Sequence, residues 1–228
     1  MLNSKELRTK AWESLKGKYW LAFIVTIVMG VLGSIGASVI SFAENLISIV
    51  NMVDPAQMDS TMQLGYAAIN VIALVICIIG LLISIFVGNA VAVGLCNYYI
   101  KNTDSKPSFA DAFSGFKVKY GRNVGTLLLV GIKTVLWSIL FIIPGIIKTY
   151  EYAIIPYILA DDEEISSKDA FKKAKEMMKG NKWRLFKLEF SFIGWFVLCV
   201  LTLGIGTIFL IPYVDAATAE FYTELKNK

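Results

Sequence analysis

The chain has 228 residues, of which 56% are hydrophobic and only 18% are charged. Together with a mean hydropathy of +0.62, this composition excludes a soluble domain with an ordinary polar surface and predicts a membrane protein. The formal net charge is +4. Because the cations are spread along what we predict to be one membrane face, nucleic-acid binding is not expected.

A pattern of helix cap, amphipathic helix and exit glycine occurs three times, which predicts an internal triplication. The predicted caps, each followed three residues later by an acidic residue, are Asn3, Ser108 and Ser166. Each repeat is expected to open with an amphipathic helix at the membrane interface and to continue into a helical hairpin. Within a single membrane domain, 1–228, the repeat units are predicted at residues 3–101, 108–162 and 166–226.

Six apolar runs follow in chain order and predict six transmembrane helices in an all-α fold. They lie at about residues 19–50, 66–100, 124–143, 146–161, 184–203 and 207–225. Lysine and arginine gather before the first run, between the second and third, between the fourth and fifth, and after the last, whereas the outer loops contain only Lys148. Both termini are therefore predicted to be cytoplasmic, and the three repeats to be parallel, with a pseudo-threefold axis along the membrane normal.

Charged residues inside the predicted runs are candidate functional residues, because a charge in hydrocarbon needs a partner or a water-filled cavity. They are Lys133, Glu189 and Asp215. A rise of about 1.5 Å per residue places Lys133 and Asp215 near the bilayer centre and Glu189 closer to the surface. We hypothesise that Lys133 pairs with Asp215 or Glu189. The alternatives are a purely structural pair, or a Glu189 that reaches the headgroups.

Prolines within the runs predict helix kinks, because proline removes a backbone hydrogen bond. Pro144, followed by Gly145, is expected to end the third run. Pro156 and Pro212 share the sequence Ile-Pro-Tyr and are expected to bend the two returning helices at matching depths.

The amphipathic segments carry lysine opposite an apolar face, which predicts contact with anionic lipid headgroups. The expected membrane-surface residues are Lys172, Lys173, Lys175, Lys179, Trp183, Trp12 and Trp20. The alternative is a cytoplasmic connector that packs on its own bundle, and the two interpretations are compatible.

Motifs for catalysis are absent from the sequence, so we expect no enzymatic activity, no catalytic residue and no cofactor. The chain has no histidine, and its three cysteines, Cys77, Cys96 and Cys199, are scattered in apolar runs. This spacing does not suit zinc, and no metal site is predicted. The acidic run at residues 161–164 is expected to be a solvated linker.

Six short motifs together resemble the bacterial domain of unknown function 975 family. They lie at residues 142–147, 157–161, 177–183, 191–195, 204–206 and 212–213. The resemblance implies a multi-pass bacterial plasma-membrane protein without an activity that can be transferred. The family is also distantly similar to the membrane-embedded part of certain glycerophosphodiester phosphodiesterases, which implies work on lipid, although their catalytic segment is lacking here.

Two classes of function remain open. The first is a transporter-like bundle that moves or handles a small solute, ion or lipid, which the kinked helices and charges within the runs favour. The second is a non-enzymatic membrane scaffold or accessory subunit. It would bind anionic lipid through its basic helices and form a homo-oligomer or a complex with a partner membrane protein.

Overall fold

The computed structural model describes residues 2–53, 59–104 and 107–228. Within these ranges the regular secondary structure is helical and no strand is present, which confirms the all-α class. The α-helices are α1 (Ser4–Leu15), α2 (Tyr19–Val50), α3 (Ser60–Ile83), α4 (Asn89–Asp104), α5 (Ser114–Lys117), α6 (Tyr120–Leu140), α7 (Ile142–Tyr152), α8 (Ile155–Asp161), α9 (Ser167–Met177), α10 (Lys182–Phe190), α11 (Ile193–Leu201) and α12 (Ile205–Lys226). A π-helix, Ser84–Gly88, joins α3 to α4, and a 3₁₀-helix, Phe109–Phe113, precedes α5.

The chain forms two compact units. The larger unit contains the residues up to 30 and those from 89 onwards, and the smaller unit contains residues 31–88. In the smaller unit the two long helices meet at glycines, because a Cβ atom on Gly36 would lie 2.5 Å from the carbonyl oxygen of Gly80. Small residues of this kind let helix backbones approach closely in lipid. The predicted bounds of the three repeats stay a prediction.

The three predicted helix caps are confirmed. Asn3 and Glu6 form a reciprocal capping box, with the Glu6 N–H donating to Asn3 Oδ1 at 2.9 Å and the Asn3 N–H donating to Glu6 Oε2 at 2.7 Å. Ser108 forms the same motif before the 3₁₀-helix, and Ser166 accepts the N–H of Asp169 at the start of α9. Each cap satisfies an N–H group that the helix itself leaves free and contributes about 1 kcal/mol.

Among the described residues, three helical stretches are long and apolar enough to cross a membrane: Tyr19–Val50, Ser60–Asp104 and Tyr120–Leu140. The predicted fourth run is divided into α7 and α8 by a turn, and the predicted fifth run is divided into α10 and α11. The sixth, α12, is a single helix of 22 residues, but it carries several charged residues. The six spans, their parallel arrangement and the cytoplasmic termini therefore stay predictions.

The core of the larger unit is built from α4, α8 and α12. Helix α4 packs against both α8 and α12, and Tyr157 of α8 stacks on Tyr222 of α12 with ring centroids 5.6 Å apart. Tyr98 and Tyr99 of α4 are fully buried. In lipid, close packing of this kind and interhelical hydrogen bonds hold helices together, since the hydrophobic effect between helices is weak there.

Each amphipathic segment packs on one of these three core helices. Helix α1 packs on α12, the 3₁₀-helix and α5 pack on α4, and α9 packs on α8. Apolar side chains at helical spacing are expected to be buried, and most of them are, namely Leu7, Ala11 and Leu15 of α1 and Ala170, Ala174 and Met178 in and just after α9. Phe171 and Met177 are half-buried and Trp12 is exposed. The bundle-packing interpretation of these helices thus accounts for their apolar faces and leaves their lysines for other contacts.

Candidate functional site

The structure separates the three charged residues that the sequence singled out. Lys133 Nζ lies 3.6 Å from the ring centroid of Phe171 in a cation–π contact. Glu189 accepts a 2.7 Å hydrogen bond from the Tyr150 hydroxyl. Although Lys133, Glu189 and Asp215 are all described, no ion pair joins them. The predicted pairing of Lys133 is therefore wrong, because an aromatic ring of α9 takes the place of the carboxylate.

Asp215 lies where α12 meets the other core helices. It is close enough to Cys96, Tyr99 and Tyr157 to interact electrostatically with each of them. Its Oδ2 atom is buried and has no hydrogen-bond partner. Nearby, the Tyr99 and Thr26 hydroxyls are joined by a 2.6 Å hydrogen bond. A buried carboxylate oxygen without a partner is unusual and leaves room for a proton or a cation.

A second cluster of charges, centred on the buried carboxylate of Glu151, was missed by the sequence analysis. Glu151 accepts hydrogen bonds from Lys148 at 2.6 Å and from Lys182 at 2.5 Å. Its neighbour in the chain, Tyr150, bonds Glu189. We call Lys148, Tyr150, Glu151, Lys182 and Glu189 the polar band. Lys148, Tyr150 and Glu151 are close in the sequence, but no local pattern indicates that Lys182 and Glu189 join them, because α7 and α10 are distant in sequence.

The polar band corrects the predicted position of Lys148 relative to Lys182. The sequence placed Lys148 in an outer loop and Lys182 on the cytoplasmic side, which are separated by a hydrocarbon core about 30 Å thick. One carboxylate contacts both ammonium groups, so the two lysines lie at the same level. The prediction fails because α7 and α8 do not form one straight helix. The depth of α7 in the membrane therefore cannot be obtained by counting residues.

Helices are interrupted near two of the predicted prolines, because α6 ends at Leu140 and α7 ends at Tyr152. The interruptions are breaks between separate helices and not kinks within one helix. Pro144 lies in the first turn of α7 and Pro156 is the second residue of α8. At these positions the proline lacks only an N–H that the helix would leave free, so it begins a helix rather than bends one. Pro212 does lie inside a helix, α12.

The predicted membrane-surface residues remain accessible. Lys172, Lys175 and Lys179 are exposed and Lys173 is half-buried, while Trp12, Trp20 and Trp183 are exposed by 53%, 67% and 61%. Lys187 lies beside the Trp183 ring, 5.8 Å from its centroid. Exposed tryptophan next to lysine is typical of side chains at a membrane–water interface.

The acidic run at residues 161–164 is more ordered than the predicted solvated linker. Asp161 accepts hydrogen bonds from Lys226 at 2.6 Å and from the Tyr222 hydroxyl at 3.1 Å. The Arg122 guanidinium donates to four main-chain carbonyl groups, those of Leu159, Asp162, Glu163 and Ile165. Arg122 therefore satisfies the free carbonyl end of α8 and fixes the approach to α9.

Near the same end of the larger unit, Lys101 of α4 and Asp111 of the 3₁₀-helix form a 2.6 Å ion pair. Burial acts to raise the pKa of the Asp111 carboxyl, but hydrogen bonds from Lys101 and from the Ser108 N–H outweigh it, so this pKa lies below its ordinary value. The carboxylate is thus held in its charged form.

A groove of about 550 Å³ lies beside α12. Its lining is largely aromatic and aliphatic and includes Trp12, Tyr19, Trp195, Phe209 and Tyr213. The two tyrosine hydroxyls donate to main-chain carbonyls, Tyr19 to Phe209 and Tyr213 to Arg8. The groove suits an apolar chain better than a polar solute, because few polar groups are free to orient one.

Within the part of the chain that the structure describes, no group of three His, Cys, Asp or Glu side chains is arranged to hold a metal ion. That finding does not test the expected lack of a cofactor or of enzymatic activity, which both stay predictions.

A protein-family model matches less than half of the chain. Residues 139–228 match the family model described as "Protein of unknown function (DUF975)". The match confirms the resemblance predicted from the sequence. Within the DUF975 segment lie α7 to α12, and so do all five residues of the polar band. Neither the curated proteins nor the solved structures yielded a significant match. The DUF975 description names no activity, so function has to be argued from the site.

Proposed function

We propose that the protein is a non-enzymatic scaffold of the bacterial plasma membrane that binds anionic lipid headgroups along one basic face. The observation that supports this most directly is the packing of the amphipathic segments. Their apolar sides are covered by α12, α4 and α8, and lysines of α9 remain exposed. A lysine near an anionic membrane surface contributes about 1 kcal/mol to binding.

The order of packing supports the parallel repeats. The opening segment of the second repeat packs on α4, which ends the first, and α9 of the third packs on α8, which ends the second. Helix α1 of the first repeat packs on α12, which ends the third. This cyclic order is expected for three parallel units around a pseudo-threefold axis. It would bring the basic segments to one end of the bundle, which the positive-inside rule assigns to the cytoplasm.

The test is lipid retention measured by native mass spectrometry in a mild detergent. Phosphatidylglycerol titrated onto the wild-type protein should bind, and the triple variant Lys172→Gln, Lys173→Gln, Lys175→Gln should bind at least about tenfold more weakly, given about 1 kcal/mol per charge. The matched control replaces the same three lysines by arginine, which keeps the charge. Equal binding by the glutamine variant would contradict the proposal. The same spectra report whether the protein forms a homo-oligomer or retains a partner.

A transporter-like bundle is the second candidate, and the partnerless Oδ2 atom of Asp215 favours it. A carboxylate in this position could carry a proton or a monovalent cation. In proteoliposomes that contain a trapped pH indicator, the wild-type protein would then dissipate an imposed proton or sodium gradient, and Asp215→Asn would not. The absence of flux by a folded wild-type protein would exclude this candidate for both ions.

A further inference from the structure

The last hairpin, formed by α11 and α12, ends in an apolar turn. The turn residues are Thr202, Leu203 and Gly204, and the Leu203 side chain is 94% exposed. The flanking Leu201 and Ile205 are exposed as well. No charged residue occurs between Glu189 and Asp215. A contiguous exposed apolar surface of this kind is uncommon on a face in contact with water and indicates an apolar partner.

The backbone N–H groups of this turn have partners within the protein. Those of Leu203, Gly204 and Ile205 donate to the main-chain carbonyls of Val200, Cys199 and Thr202, at 3.0, 2.9 and 3.1 Å. The N–H of Gly206 donates to Thr202 Oγ1 at 3.0 Å, and that of Thr207 to the Gly204 carbonyl at 3.0 Å. Backbone N–H groups in hydrocarbon need such partners within the protein, because no water is present there to replace a missing one.

The conformation of Leu203 agrees with the same environment. Its φ is +53°, and that of Gly204 is +87°. A left-handed residue at a turn is ordinarily glycine or asparagine, because other side chains are strained there. A leucine is favoured over these residues only where its side chain gains from an apolar medium.

The polar band sets a level from which depth can be judged. It combines lysines with tyrosine and adjoins the exposed Trp183, which is the composition of a membrane–water interface. Phe192, three residues after Glu189, packs on Tyr213 of α12 with ring centroids 5.1 Å apart, which relates this level to α12. Ile205 precedes Tyr213 by eight residues of that one helix, which corresponds to about 12 Å. The hydrocarbon core is about 30 Å thick, so a turn at this depth lies near its middle.

We infer that the α11–α12 turn is embedded among lipid acyl chains near the bilayer midplane and does not emerge on the outer side. The last hairpin is thus re-entrant, and the acyl chains it contacts belong to the leaflet that the basic helices face. The choice of leaflet rests on the proposed function. The α6–α7 turn is similarly apolar, but the N–H groups of Ile142 and Ile143 open α7 without a helical partner, so the inference is confined to the last hairpin.

The experiment compares single cysteines in a variant that lacks the three native cysteines. Leu203→Cys reports on the last turn. Val53→Cys is the matched control, because it is exposed in the turn after α2, in the first hairpin. Intact cells are treated with a membrane-impermeant maleimide. We expect Val53→Cys to react and Leu203→Cys to react at least about tenfold more slowly until detergent dissolves the membrane. Comparable rates in intact cells would overturn the inference.

A spin label on Leu203→Cys in liposomes distinguishes lipid from protein around the turn. We expect its collisions with oxygen, which dissolves in hydrocarbon, to exceed those with a water-soluble nickel chelate. Excess collisions with nickel would place the turn in water, and protection from both reagents would place it against protein; either result overturns the inference. Lipid binding by the α9 lysine variants is a separate measurement, so failure of the scaffold proposal leaves this result interpretable.

Discussion

The hairpin of α2 and α3 differs from the hairpin of α11 and α12 in length and in the polarity of its turn. Helices α2 and α3 have 32 and 24 residues, whereas α11 has nine. At 1.5 Å per residue these lengths correspond to about 48, 36 and 14 Å, against a hydrocarbon core of about 30 Å. The sequence between α2 and α3 contains Asp54 and Asp59, and the last turn contains no charge. Two of the predicted repeats thus contain hairpins of different length, so the repeat does not fix the dimensions of its hairpin.

The two hairpins also differ in where their helices touch. In the first, Gly36 and Gly80 bring the backbones together in mid-helix. In the last, the close approach lies beside the turn, where a Cβ atom on Gly206 would lie 3.0 Å from Cys199 Sγ. We therefore expect substitutions within the helices to break the first hairpin, and substitutions at the turn to affect the last.

The largest effect is expected from Gly36→Ala in the first hairpin. The new methyl group would meet the Ser84 backbone and, at 2.5 Å, the Gly80 carbonyl oxygen. Backbone atoms cannot move aside as a flexible side chain can. Overpacking ordinarily lowers the free energy of unfolding by about 1–3 kcal/mol, and we expect a decrease at or above the upper end of that range. Thermal unfolding in detergent measures it. Gly65→Ala is the control, because no atom lies within 4 Å of its Cβ position; an equal loss there would refute the mid-helix contact.

The second-largest effect is expected from a charge introduced into the last turn, compared with the same charge in the first turn. Leu203→Asp would place a charge in hydrocarbon, which costs about 2.5–3.5 kcal/mol at the bilayer centre. We expect a clear fall in the amount of membrane-integrated protein, measured by carbonate extraction. The same substitution in the first turn, Val53→Asp, should leave integration unchanged. Equal membrane integration of the two variants would contradict the proposal that the two turns lie at different depths.

Glu151→Gln should have an intermediate effect on stability. It leaves Lys148 and Lys182 without their carboxylate, and these side chains are only 23% and 29% exposed. Loss of one partner from a fully buried pair costs about 3–5 kcal/mol, so on the order of 2 kcal/mol is expected for this partly exposed cluster. Glu44→Gln at an exposed position of α2 is the matched control, and it should change the free energy of unfolding by less than about 0.5 kcal/mol. Equal melting temperatures for the two variants would refute the importance of the polar band.

The smallest effect concerns Asp111, which lies outside both hairpins and serves as a reference. Its pKa is below the ordinary value in the folded protein, so its charged form stabilises the fold above the unfolded pKa, and this contribution is lost as pH falls through the folded pKa. Asp111→Asn should cost less than about 1 kcal/mol near neutral pH. The difference in melting temperature from the wild type should shrink in acid. A difference that grows in acid would contradict the assigned ion pair.

Features determined by neighbouring residues could be predicted from the sequence. The caps at Asn3, Ser108 and Ser166 are confirmed because a cap depends on residues three positions apart. The buried faces of α1 and α9 were largely correct, apart from the exposed Trp12, because helical periodicity determines which side chains share a face. The all-α class followed from the same local signals.

Features that depend on helix breaks could not be predicted in this way. The turn at Ala153 and Ile154 divides α7 from α8 just before Pro156, where the sequence predicted only a bend, and the break before α11 lies at Ser191 and Phe192. Once a helix breaks, counting residues no longer gives depth. This is why Lys148 was assigned to the wrong level and why Lys133 contacts Phe171 rather than a carboxylate.

The contact between α1 and α12 has a consequence for biosynthesis. Helix α1 is synthesised well before its main packing partner, residues 205–226. Until then the face formed by Leu7, Ala11 and Leu15 lacks that partner and has only its smaller contacts with α4 and α10. The nascent chain must therefore keep its first helix on the lipid surface or on a chaperone. A ribosome that stops before α12 therefore releases a chain in which this face lacks its main partner.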